Sequence, residues 1–263
     1  MRRVLIYAWN PTVLVSFALC GHHDSLAILT LLAANLLILA HRRALAIVFV
    51  ALSFLAKFFP LLLLPIFLKR INREKAAPSA GVHSVRTTIS VGAGAGIFAI
   101  VVLLGYLPYF RAGRKLFGGL SDYAAGWEAN DSFFRLVLRA GNSRAQAELV
   151  AGVMILALVA YAVKKQLEPP RASLLLTAGV VLLSATAFPW YFTWSIPFLC
   201  FYPSAPWLLA SVTAVLGYSP VVTYAAGGPY RDSPLLLALE YAPVYAWLGI
   251  RLVHYLRIDR RAL

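Results

Sequence analysis

GHHDSLAILTLLAANLLILA, running from Gly21 to Ala40, joins two imidazoles and a carboxylate to a stretch that is almost wholly apolar from Ser25 onward. Such a stretch reads as a membrane helix, because no single face of it is polar enough to meet water. His22, His23 and Asp24 then stand at the edge of hydrocarbon, where ionisable groups are costly and by default raise a hypothesis of function. A plainer reading also fits: Asp24 is a good N-cap for the helix that follows, with the histidines in the headgroup layer.

The remainder of the chain has the same character. Its 263 residues are 61% hydrophobic, with a mean hydropathy of +0.76, more apolar surface than one soluble core could hide. The sequence therefore predicts an all-α, polytopic membrane protein forming a single integral-membrane domain over 1–263. A spanning helix needs about 20 apolar residues, fewer where its ends sit in a polar cavity. Spans are expected near 26–40, 88–109, 149–163, 173–188, 195–202 with the aromatic residues before it, 206–223 and 235–253. With a broken pair over 44–68, the total is about 7–9 membrane helices. No cleavable signal is evident, since Val4 to Leu19 is interrupted by Asn10-Pro11 and lacks a small-residue cleavage site before Cys20.

A net charge of +14 could suggest nucleic acid, but its distribution argues against that partner. Basic residues gather at the ends of apolar runs: Arg42 and Arg43; Lys69, Arg70, Arg73 and Lys75; Lys164, Lys165 and Arg171; Arg251, Arg257, Arg260 and Arg261. Positive charge is enriched on the cytoplasmic side of membrane proteins, so these clusters orient the chain. Gly21 to Asp24, the connection 110–148, the motif at 189–194 and the loop 226–234 then share the outer face. Cys20 and Cys200 are expected to be free thiols.

Three further stretches stand out. Lys57 breaks the apolar run from Ala44 to Leu68 and precedes Phe58-Phe59-Pro60. Basic residues at both ends of this run predict a broken or re-entrant pair bending at Lys57 to Pro60. The lysine is expected either to neutralise a lipid phosphate or, in a structural role, to snorkel past its own stem or point into a wet cavity. Connection 110–148 is too long for a simple turn. Within it, Asn130-Asp131-Ser132 predicts a cap for an interfacial helix over Phe133 to Ala140, and Arg111, Arg114 and Lys115 are candidates for headgroup contact. Finally, Pro189-Trp190-Tyr191-Phe192-Thr193-Trp194 followed by Pro197 is either an aromatic belt at the membrane surface or a carbohydrate site, since sugar faces stack on rings.

Taken in order, Trp9-Asn10-Pro11, Gly21-His22-His23-Asp24, Lys57-Phe58-Phe59-Pro60 and Pro189 to Trp194 resemble the GT-C superfamily of glycosyltransferases, and within it the bacterial polyprenyl-phosphate-mannose-dependent mannosyltransferase-like proteins. The resemblance implies a multi-span enzyme of the bacterial inner or plasma membrane, with its active site facing outward. It would move a sugar from a polyprenyl-phosphate donor to a lipid-linked or glycan acceptor. Asn10-Pro11 would shape the approach to the outer face, and His22 and Asp24 would line the cavity. Lys57 would approach the donor phosphate, while Trp190, Tyr191 and Trp194 would belong to the sugar or lipid pocket. Relatives commonly carry an acid where Ser16 stands and an Asn where His23 stands. They also keep a catalytic acid in a first outer loop after an N-terminal span, which this chain is expected to lack, so it resembles the C-terminal part of a longer enzyme.

An inverting transfer needs a base for the acceptor hydroxyl and a group to stabilise the departing phosphate. Asp24 is the acid expected on the catalytic face, with Asp131, Glu128, Asp122 and Asp232 as weaker candidates. His22 or His23 could hold the proton, and Lys57, Arg231 or the Arg111 to Lys115 cluster could meet phosphate. No cofactor is expected, because a His-x-Asp pair without another carboxylate makes a weak cation site. A non-catalytic subunit and a lipid or small-molecule transporter are the rival expectations.

Overall fold

The computed structural model describes residues 2–76 and 89–259, so Arg260 and Arg261 and the first residue of the expected span 88–109 lie outside the described residues. Helix is the only regular secondary structure among the described residues, with one isolated β-bridge between Ala129 and Thr186 and no strand. Four helical stretches are long and apolar enough to cross a bilayer: Val91–Tyr123, Arg144–Lys164, Ala205–Ala225 and Pro234–His254. Between 11% and 28% of the most apolar window of each is buried against protein, so most of that surface is left for lipid. This is an all-α membrane protein.

The other expected spans take different forms. Helix α1 (Pro11–Leu19) and helix α2 (Asp24–Leu39) form a pair bent by 118°, with Gly21 at φ +65° in the break. α2 has 16 residues, about 24 Å of helix against a hydrocarbon core of about 30 Å. Helix α3 (Arg43–Ala56) has only 14. Lys57 is extended at φ −155°, a 3₁₀ stretch covers Phe59–Leu63, and helix α4 (Leu64–Ala76) follows. Ile47 and Ile71 both approach Gly94, so α4 folds back along α3 and the run 44–68 is a hairpin with Lys57 at its tip.

Helix α5 (Val91–Tyr106) continues through a 3₁₀ stretch, Leu107–Phe117, into helix α6 (Gly118–Gly126), interrupted at Gly113 by φ +55°. Much of the expected outer connection is thus helical, with Arg111, Arg114 and Lys115 exposed along it. Helix α7 (Phe133–Arg139) lies near its expected place, but the residues before it do not cap it. Asn130, at φ +51°, instead donates to the carbonyl of Ala187 and to Glu240 Oε1, Asp131 pairs with Arg135, and Ser132 donates to the carbonyl of Leu182.

Helix α8 (Arg144–Lys164) opens with a capping box, Ser143 with Gln146. Helix α9 (Pro169–Leu183) stops five residues short of the expected 188, because Ser184 is extended ahead of Pro189. The span expected over 189–202 is two single turns, Pro189–Phe192 and Ile196–Leu199; each has a proline in its first two positions, whose missing N–H keeps a helix from running through. Helix α10 (Ala205–Ala225) tightens to 3₁₀ over Ala214–Gly217, and helix α11 (Pro234–Asp259) carries Pro243.

The core lies where α2 meets α3. Ala27, Leu31, Ala34 and Ile38 face Ala46, Ile47 and Val50, all buried, and Ser53 donates to the carbonyl of Ala27 at 2.7 Å. Small residues let the two backbones approach closely. At one end of the molecule Lys69 Nζ donates to the carbonyl of Val163 and Arg70 pairs with Glu168, which gathers the basic clusters there. The tip at Lys57 lies at the other end.

Candidate functional site

At the tip, Asp24 is the first residue of α2, but no side chain caps that helix. Its carboxylate turns inward and is fully buried: Oδ1 accepts from Trp194 Nε1 at 2.8 Å and lies 3.4 Å from Lys57 Nζ. A buried carboxylate is stable only with such partners. Asp24 therefore does not face open space as expected; it sits beneath Lys57, whose side chain keeps 22% exposure. Lys57 is extended between the end of α3 and the 3₁₀ stretch that opens at Phe59-Pro60, and its ammonium reaches back to Asp24.

Aromatic rings join the motifs. Trp190 stacks with His22 at 3.9 Å and with Phe188 at 4.4 Å. Trp194 stacks with Phe59 at 4.2 Å and with Tyr191 at 4.4 Å. Lys57 Nζ lies 5.1 Å from the centroid of the Tyr191 ring, within cation–π range. The Tyr191 hydroxyl meets that of Tyr123 on α6 at 3.1 Å. Three stretches far apart in sequence, 21–24, 57–60 and 189–194, thus form one unit. With stacking partners on hand, Trp190 and Trp194 offer edges rather than open faces.

Two hollows open on this unit. One, of about 680 Å³, has Lys57, His23, Tyr191 and Trp194 at its polar part and runs along Phe58, Leu62 and Leu120. The other, of about 440 Å³, is lined by Trp127, Phe188, Trp190, Tyr224 and Tyr230, with Glu128 as its one carboxylate. Trp190 and Tyr191, neighbours whose rings are 6.0 Å apart, stand between them. Burial lowers the His22 imidazole below its ordinary value, Asp24 opposes that shift, and Lys57 and His23 reinforce it. The ring is therefore held towards its neutral, proton-accepting form.

Two expected residues are elsewhere. Asn10 is buried at the start of α1, accepts from Thr12 N and donates to Ser211 Oγ at 2.8 Å, and so pins the N-terminal segment to α10. Arg231 is exposed in the loop beside Tyr230 and lines neither hollow. Ser16, where an acid was expected from the resemblance, pairs its hydroxyl with Tyr218 at 3.0 Å. Of the weaker acids, Glu128 lines the aromatic hollow while paired with Arg144, and Asp131 and Asp232 are bound to Arg135. Phe59, Phe188, Tyr123 and Tyr230 were missed as site residues. Phe59 lies within the quoted Lys57 to Pro60 motif and Phe188 directly precedes Pro189, which was the available signal; nothing local marks Tyr123 or Tyr230. Among the described residues no group of three or more His, Cys, Asp or Glu side chains converges to hold a metal ion.

Comparisons of the chain with protein-family models, curated proteins and solved structures found no match.

Proposed function

We propose that this protein is a GT-C-like glycosyltransferase of the bacterial plasma membrane, transferring a hexose such as mannose from a polyprenyl-phosphate donor to a lipid-linked or glycan acceptor at the outer face. The observation that carries the reading is Lys57: a cation at the head of a long apolar hollow, one pair of rings away from an aromatic hollow. A polyprenyl phosphate has the matching chemistry, an apolar chain for Phe58, Leu62 and Leu120 and a phosphate for the ammonium. In this reading the bent α1–α2 pair, the α3–α4 hairpin, α9 and the turns at 189–199 are embedded beside the four long helices, giving eight membrane elements, or nine when the two arms of the hairpin count separately.

In the proposed reaction the acceptor hydroxyl attacks the anomeric carbon as the bond to the phosphate oxygen breaks. Lys57 stabilises the charge that develops on the leaving phosphate, and Asp24 fixes the ammonium from below. His22, held neutral, accepts the hydroxyl proton, with Glu128 at the aromatic hollow as the alternative base. His23 lines the donor hollow, and Tyr191 and the edges of Trp190 and Trp194 border the sugar.

The full chain in lipid nanodiscs, given polyprenyl-phosphate mannose and short mannosides or lipid-linked sugars, is expected to transfer or hydrolyse mannose. Lys57→Gln is expected to lose at least about tenfold in rate. Absence of any turnover by the wild type, or full activity in Lys57→Gln, would overturn the proposal. The burial of Asp24 favours one second reading, a non-catalytic subunit that binds the donor and leaves the acid to a partner chain. That reading predicts donor binding that depends on Lys57, without turnover.

A further inference from the structure

A third hollow, of about 770 Å³, lies at the basic end, away from Lys57. It opens among α8, α9, α10 and α11, and its wall is apolar, formed by residues such as Leu174, Ala178 and Trp207. Two guanidinium groups also line it, Arg171 from the first turn of α9 and Arg251 from the far end of α11. Arg171 stands three residues after Glu168, whose carboxylate is taken by Arg70 from α4. Neither Arg171 nor Arg251 has a carboxylate within ion-pair distance among the described residues. Arg251 is steadied over the Trp247 ring at 5.4 Å, and Trp247 lines the same hollow. Ser204 closes it, with a buried hydroxyl that has no hydrogen-bond partner among the described residues.

A single arginine near a helix end is accounted for by snorkelling to the headgroup layer. Two exposed arginines 80 positions apart in sequence line one apolar hollow, with no carboxylate partner among the described residues and beside a hydroxyl unsatisfied among them, and this combination calls for a ligand with an anionic head and an apolar tail. We propose that this hollow binds an anionic phospholipid from the leaflet at the basic end, with its acyl chain on the apolar wall and its phosphate between Arg171 and Arg251. Basic pockets between membrane helices bind anionic headgroups, and the planar guanidinium forms charge-assisted, often bidentate, hydrogen bonds to a phosphate. The site is separate from the Lys57 hollow and does not depend on the glycosyltransferase reading.

The test is native mass spectrometry of the purified full chain with equal concentrations of phosphatidylglycerol and phosphatidylcholine. The wild type is expected to retain phosphatidylglycerol at least about fivefold better. Arg171→Gln/Arg251→Gln is expected to lose that preference while still binding phosphatidylcholine, and each single substitution to fall between. Lys164→Gln/Lys165→Gln, which removes equal charge from the same end outside the hollow, is expected to keep it. Equal retention of the two lipids by the wild type, an unchanged preference in the double arginine variant, or an equal loss in the lysine variant would overturn the proposal. Should the double arginine variant fail to fold, the single variants decide the matter by the same criterion.

Discussion

Asp24 illustrates how a residue can be found for one reason and work for another. At the start of an apolar helix it reads as a cap or a base, yet its carboxylate faces the interior, with Trp194 and Lys57 on Oδ1 and a buried Oδ2 that has no hydrogen-bond partner among the described residues. Its orientation depends on an indole 170 positions away, which no local pattern announces. Asp24→Asn retains an acceptor for Trp194 but leaves Lys57 without its counter-charge. It is expected to cost about 1–3 kcal/mol of stability, measured by denaturant unfolding in detergent, and to weaken phosphate-dependent donor binding more than Trp194→Phe does. His22 supplies the pH dependence. Its folded pKa lies below the unfolded 6.5, mainly through burial, so between the two values the folded state binds fewer protons than the unfolded state. The stabilisation it contributes is full above about pH 6.5 and is lost as pH falls through the lowered value. A pH–rate profile is expected to keep its activity below pH 6.5 before an acid limb appears, and His22→Gln is expected to remove that limb. A limb centred above 6.5 would show that another group titrates.

At the scale of elements, legibility followed the continuity of the apolar pattern. The run 149–163 is uninterrupted and 235–253 carries only Glu240, Pro243 and Arg251 among its apolar residues; both lie within long helices, Arg144–Lys164 and Pro234–Asp259. The break at Lys57 was also readable, because a charge and a proline in one apolar run leave few alternatives. Where prolines alternate with aromatics, composition misled: 189–202 is as apolar as a span but only two short turns form, since Pro189 and Pro197 each restart the helix. Those turns are held by what packs on them. Gly217, in the 3₁₀ part of α10, has no room for a side chain: a Cβ there would come within 2.9 Å of Pro189 Cγ and 3.1 Å of Asn130 Nδ2. Gly217→Val is therefore expected to push α10 away from both, disturbing the stack at Trp190 and the Asn130–Glu240 contact together. The cost is about 1–3 kcal/mol of overpacking, read as a lower unfolding midpoint and increased quenching of tryptophan fluorescence by acrylamide.

For the whole molecule, the charge pattern and the folded arrangement agree on a polarity that neither gives alone. The basic clusters at Lys69, Arg70 and Arg171 gather at one end, and His22, Lys57 and Trp190 at the other, because α3 and α4 form a hairpin and α9 runs from the first end towards the second. The order of the motifs along the chain made their convergence legible in outline. The ring stacks that produce it were not, since they use Phe59 and Phe188 and bring together residues more than 130 positions apart. If the basic end faces the cytoplasm, as positive charge near apolar helices dictates, the site faces outward. The two thiols allow this to be tested, because Cys20 is exposed beside the site in the break between α1 and α2 and both cysteines are free. In a Cys200→Ser background, a membrane-impermeant maleimide is expected to label Cys20 in intact cells. In a Cys20→Ser/Cys200→Ser background, Lys165→Cys is expected to label only after permeabilisation. The reverse pattern would invert the orientation and put Lys57 and its hollow on the cytoplasmic side, where the donor would have to be delivered from the inner leaflet.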